Sequence, residues 1–117
     1  MSAPYAAMTG VPFLLQDTQT TGNGNVLAIP PSFRHHTIII KGNSTIAAGA
    51  IQIETANEYN YAGTWAQVGG GPITVVDGAD VVYNFEGVFN FIRARISTTI
   101  TGAGGSVSVA YEGGKSY

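Results

Sequence analysis

Two adjacent histidines, His35 and His36, are the first residues of this 117-residue chain whose type invites chemistry, because imidazoles are ordinary zinc ligands. They lie in the stretch FRHHTIIIK, which has the β-branched character of a strand. Neighbours on a strand point to opposite faces, so the pair cannot share one ion and reads as ordinary strand sequence. Asp77 and Asp80 offer carboxylates to calcium, but a site of roughly 6–8 oxygens needs further ligands that the neighbourhood does not supply. Both read as turn residues. Glu54, Glu58 and Glu86 are the carboxylates on which a glycosidase pair would draw. Strands distant in sequence converge in space, so spacing leaves a pair open, and solvated strand ends are the preferred reading. A nucleophilic serine needs a converging His and acid and a local frame such as G-x-S-x-G, which does not occur. Neither Gly22-Asn23-Gly24 nor Gly69-Gly70-Gly71 runs on into a helical pattern with Lys and Ser or Thr, so neither makes a phosphate cradle. No catalytic, cofactor-binding or metal-ligating residue is assigned, no cofactor is expected, and the chain is read as a non-enzyme.

Binding is better represented than catalysis. Asn57–Tyr61 with Trp65 forms an aromatic and polar cluster suited to stacking on a sugar or a protein partner, since Tyr and Trp supply contact area at low entropic cost. The plainer alternative places Trp65 in the core, with Tyr59 and Tyr61 on its rim. Residues 1–12 carry no charge and no strand-like alternation, yet hold Tyr5, Met8 and Val11, which open water suits poorly. An extended arm reaching a partner, ahead of a sandwich domain over residues 13–117, accounts for them. Tyr5, Met8, Val11, Tyr59 and Tyr61 are therefore the candidate interface residues. Asn43-Ser44-Thr45 matches the glycosylation sequon, but MSAPYAAMTG has no basic n-region or apolar core, so this chain is not expected to meet that machinery.

Composition narrows the class. Charged residues are only 10% of the chain, against roughly 25% in ordinary soluble domains, so the surface must be built from Thr, Ser, Asn, Gln and Gly and resists self-association weakly. Arg34, Lys41, Arg93, Arg95 and Lys115 are scattered, with no basic stripe for phosphates, so nucleic acid is not expected as a partner. Zero cysteines exclude disulfides, Cys-ligated zinc and a thiol nucleophile. No run approaches the ~18 apolar residues of a membrane helix, and no membrane partner is expected.

The elements that would position these residues are strands. Sixteen Gly, five Pro and short apolar runs between turn signals indicate an all-β, single-domain antiparallel sandwich of about eight strands. Val11–Gln16 reads as an edge strand, Asp17–Asn25 as a polar loop, and Val26–Ile29 as a short strand ended by Pro30-Pro31. Phe33–Lys41 reads as a central strand. Ser44–Thr55 follows, with Ile51 and Ile53 on one face, Gln52 and Glu54 on the other, and a bulge or close backbone approach at Ala47–Ala50. Thr64–Val68 is a further strand. Two stretches read as hairpins. In the first, Ile73–Val76 and Val81–Phe85 flank a four-residue loop, preferred over a two-residue Asp-Gly turn because it leaves both Asp side chains in solvent. In the second, Ile92, Ala94, Ile96 and Ile100 alternate inward, then Val107, Val109 and Tyr111, around Gly102–Gly105. That register sets Ile100 opposite Val107 and Arg95 opposite Glu112.

Ser44–Thr55 (STIAAGAIQIET), Gly63-Thr64-Trp65, Phe85–Ser97 (FEGVFNFIRARIS) and the glycine loop after them resemble small bacteriophage capsid decoration, or cement, proteins with a jelly-roll-like β-sandwich. The likeness covers roughly residues 38–113. It implies a structural protein of the virion, made in the host cytoplasm, that binds the major capsid protein on the outside of a phage head and stabilises it, often as a homo-oligomer, dimer or trimer. A phage tail or fibre module binding host glycan or a tail partner is the alternative. No site residues carry over from the resemblance.

Overall fold

Apolar residues recur at every second position along most of the chain, and strands result. The computed structural model describes residues 13–115, which form nine strands and no helix. In order they are β1 (Phe13–Gln19), β2 (Leu27–Ala28), β3 (Phe33–Asn43), β4 (Ala48–Ala56), β5 (Ala66–Gln67), β6 (Ile73–Thr74), β7 (Asp80–Glu86), β8 (Phe91–Thr101) and β9 (Ser106–Lys115). One antiparallel sheet has the order β1-β9-β3-β7, and the other has β2-β8-β4-β5 with β6 also on β4. The pairs nest around the middle of the chain: β4 with β5 and β6, β3 with β7, β2 with β8, β1 with β9. Wrapped in this way, the chain is a jelly roll.

The core lies between the two inner faces. Leu15, Phe33, Ile38, Ile40, Val107, Val109 and Tyr111 from the four-stranded sheet meet Leu27, Ile51, Ile53, Ile92, Ala94, Ile96 and Ile100 from the other. Each large aliphatic side chain buried this way contributes about 1.5–3 kcal/mol of transfer free energy. The expected inward faces of Ile92–Ile100 and Val107–Tyr111 are therefore present, as is the interior position of β3.

The expected pairing is overturned. β8 and β9 are in different sheets, and the Gly102–Gly105 turn, closed by Gly105 N–H on Gly102 C=O at 3.1 Å, arches from one sheet to the other. Ile96 lies opposite Ile51 and Arg95 opposite Gln52, whereas Val107 lies opposite Gly42 and Glu112 opposite Thr37. Arg95 and Glu112 are not cross-strand neighbours. The other expected hairpin fails in the same way: Ile73 pairs with Ile51 and Val81 with Ile40, on separate sheets. Asp77 is not left to solvent alone, because its Oδ1 accepts the Ile46 N–H at 2.9 Å.

Close backbone approach explains both departures from a simple ladder. At Gly102 (φ +130°) a side chain would strike the Thr45 carbonyl, so the arch can seat itself beneath the turn joining β3 to β4. Gly49 (φ +155°) packs against Ile100, and the β4–β8 register shifts on both sides of Ala50, so the expected bulge and the expected close approach occur together. On the far edge of β8, where β2 ends, Ile96 N–H and Ile100 N–H donate to Gly22 and Thr20 carbonyls at 2.9 and 3.0 Å. Buried Gln16 on β1 adds a 2.7 Å bond from Nε2 to the Ala94 carbonyl, tying the two sheets together at that edge.

Candidate functional site

His35 and His36 leave β3 on opposite faces, as their adjacency requires. His35 is exposed, with Nδ1 3.2 Å from Glu86 Oε1 on β7. His36 is buried; its ring stacks on Phe85 and meets Phe89 edge-on. Its Nε2 lies 2.9 Å from the Gly87 carbonyl, which can only accept, so Nε2 carries the proton and Nδ1 accepts from the Tyr111 hydroxyl at 2.6 Å. Burial holds the imidazole pKa below 6.5; the Gly87 bond opposes this and the neighbouring His35 adds to it. Burial also raises the Tyr111 hydroxyl pKa, so the neutral pair is a structural polar contact inside the core. Among the described residues no group of three or more His, Asp or Glu is placed to hold a metal ion.

Glu54 and Glu86 do not converge as a glycosidase pair would. Glu86 is exposed on β7, and Glu54 projects from the outer face of the other sheet. Glu54 is also buried rather than solvated, a correction to the sequence reading. Its Oε1 takes the Arg93 guanidinium at 2.9 Å from directly across the ladder, and its Oε2 takes Arg95 Nε at 3.0 Å and Gln52 Nε2 at 2.7 Å. Arg93 in turn sits 4.3 Å from the centre of the Trp65 ring. Trp65 is buried, as the plainer alternative expected, but it packs beneath this cation and apart from the main hydrophobic cluster. Its indole N–H donates to the Tyr61 carbonyl at 3.0 Å, so the loop after β4 folds back on the sheet.

This removes Trp65 as a stacking platform and leaves the loop's rim. Tyr59 packs against Phe91, while Tyr61 is 43% exposed and borders an open recess of about 360 Å³ with Thr55, Asn57, Glu58 and Thr64. The recess offers one aromatic ring, one carboxylate and several neutral hydrogen-bonding groups.

A second surface lies across the molecule. On the outer face of the four-stranded sheet, Leu14 of β1, Ala110 of β9, Ile39 of β3 and Val82 of β7 stand in one cross-strand row. Leu14, Ile39 and Val82 are 40%, 36% and 58% exposed. Thr37, Asn84 and Glu112 flank the row on one side and Lys41, Asp80 and Ser108 on the other. The face thus carries an apolar band between two polar rows, with Glu112 on one side and Lys41 and Asp80 on the other. Comparison with known proteins finds no matching family model, curated protein or solved structure. The surfaces must speak for themselves.

Of the five residues expected at an interface, Tyr61 lines a recess and Tyr59 packs beside the same loop, while Tyr5, Met8 and Val11 lie outside the described residues. The apolar row escaped the sequence reading. Ile39 between Ile38 and Ile40 was legible as an outward isoleucine, but only the sheet order aligns it with Leu14, Ala110 and Val82.

Proposed function

We propose that this chain is a structural virion protein, a decoration or cement protein that seats on the outer surface of a phage head and contacts the major capsid protein. The observation that carries the reading is the apolar row across all four strands of one outer sheet face, set in a surface of few charges. A row that crosses every strand is rigid before it binds, so docking costs little ordering entropy. Jelly rolls serve viral coats and also lectins, so the fold is compatible with the reading without selecting it. Sedimentation with undecorated heads tests it. Wild-type protein is expected to pellet with the heads, and Ile39→Glu/Val82→Glu to remain in the supernatant with an unchanged melting temperature. Pelleting of the double variant at wild-type level would remove the face from the interface, and failure of the wild type to pellet would end the capsid reading.

The recess at Tyr61 supports a second reading, a tail or fibre module that binds host glycan through one stacking ring and neutral polar groups. A glycan array separates the two: binding lost in Tyr61→Ala favours the tail module, and an array without signal removes it.

A further inference from the structure

We propose that β7 accepts an added strand, the stretch Tyr5–Val11 donated by a second copy of this chain, so that copies join edge to edge through the four-stranded sheet. The inference stands on the sheet edges and does not require the capsid reading.

Sheet edges are normally blunted by shortness, bulges, prolines or a covering segment. Three of the four edges in this sandwich are. The β5 and β6 edge consists of strands of 2 residues each, and the β2 edge is also 2 residues long, with the rest of β8 covered by Thr20 and Gly22. β1 is interrupted by register shifts around Gln16 and by Thr18 at φ +53°. β7 has none of these devices. Its 7 residues pair with β3 in unbroken register from Asp80 to Glu86, they include no proline, and their charges sit only at the two ends. No other described backbone segment hydrogen-bonds to it. Val81 and Tyr83 are only partly buried beside the core, so a further strand would also cover apolar surface.

The occupant follows from what precedes β1. Pro4 and Pro12 bracket Tyr5–Val11, which is proline-free, uncharged and 7 residues long, the length of β7. Every residue of it can donate an N–H to a ladder. The chain's own β7 is out of reach, because β9 and β3 lie between β1 and β7 and place the two edges roughly 14 Å apart at ~4.8 Å per strand. Pro12 alone joins the stretch to Phe13, and one residue spans no more than about 3.6 Å. A neighbouring copy presents its β7 without that obstacle. Each copy then gives one strand and receives one, which makes a reciprocal pair, a ring, or an open filament according to the rotation between copies.

The cysteine-free sequence allows a direct test in the full chain. With Met8 centred on Tyr83, residue 7 lies beside residue 84 in an antiparallel addition and beside residue 82 in a parallel one. Ala7→Cys protein is mixed with Asn84→Cys or Val82→Cys protein and oxidised with diamide; Gln67→Cys, exposed on the β5 edge, is the control. A disulfide-linked dimer with one of the two β7 variants and none with the control is expected. Light scattering should give a mass at least twice that of the chain for wild type, and the monomer mass for Met8→Pro. Absence of both β7 crosslinks, equal crosslinking at residue 67, or a wild-type monomer at every soluble concentration overturns the proposal.

Discussion

Burial of His36 makes one residue report on the whole fold's response to acid. Its folded-state pKa is lowered below 6.5, so as pH falls the unfolded chain takes up this proton before the folded one does. The stability associated with His36 is therefore full above pH 6.5 and is lost as pH falls from there through the lowered folded-state value. Denaturant midpoints of wild type and His36→Gln, followed downward from neutrality, are expected to show a decline that is steeper in wild type; parallel curves would mean the ring is hydrated in solution. Neighbouring residues on β8 give a second contrast. Ile96 is buried, and truncation to Ala is expected to cost about 2–5 kcal/mol. Ser97 points the other way, and its Oγ is buried without a hydrogen-bond partner, so Ser97→Ala is expected to be neutral or slightly stabilising by denaturant midpoint. Both faces were legible because alternation is a local property of a strand. The burial of Glu54 was not, because it depends on Arg93 and Arg95 arriving from a strand about forty residues away and on Trp65 packing beneath Arg93. Glu54→Gln leaves two guanidinium groups facing a neutral amide. The loss expected is roughly 3 kcal/mol, toward the low end for a broken buried pair because Arg95 is a third exposed.

Loops decided the strand partners, and there the sequence misled. Four-residue segments rich in Gly and Asp, between two alternating runs, look the same whether the chain turns back within a sheet or crosses to the opposite one. At Gly102–Gly105 and at Asp77–Asp80 it crosses. The physical difference lies in what the loop touches. Gly102 rests against the Thr45 carbonyl, a contact no hairpin would need, while Gly104 (φ +70°) has only ordinary van der Waals contact with Ser44. Gly104→Ala is expected to cost about 1 kcal/mol from its backbone conformation alone. Gly102→Ala adds a collision to its strain and is expected to cost several-fold more, about 2–4 kcal/mol by thermal or denaturant melting. Equal losses at the two positions would argue that the arch is free of the β3–β4 turn.

For the whole molecule, nesting of the ladders governs how the sandwich can be made. The class of fold was readable from composition and turn spacing, but the strand order was not, because most pairings join strands far apart in the chain and no local residue encodes them. Only β4 finds partners close by, in β5 and β6, whereas β3 waits for β7 and β9, and β1 for β9. A polypeptide ending at Gly105 is therefore expected to lack cooperative melting altogether, by circular dichroism, since β1 loses its only ladder and β3 one of two. Synthesis runs from the amino end, so β3, with Ile38, Ile39 and Ile40 on its two faces, stays without a ladder until β7 has been made, and without its second until β9 has. Exposed in that interval is an isoleucine-rich strand with free edges on both sides, the kind of segment that pairs with its copies on neighbouring ribosomes. Arg34 and Lys41, which bracket those isoleucines, are the charges placed to oppose such pairing in the interval.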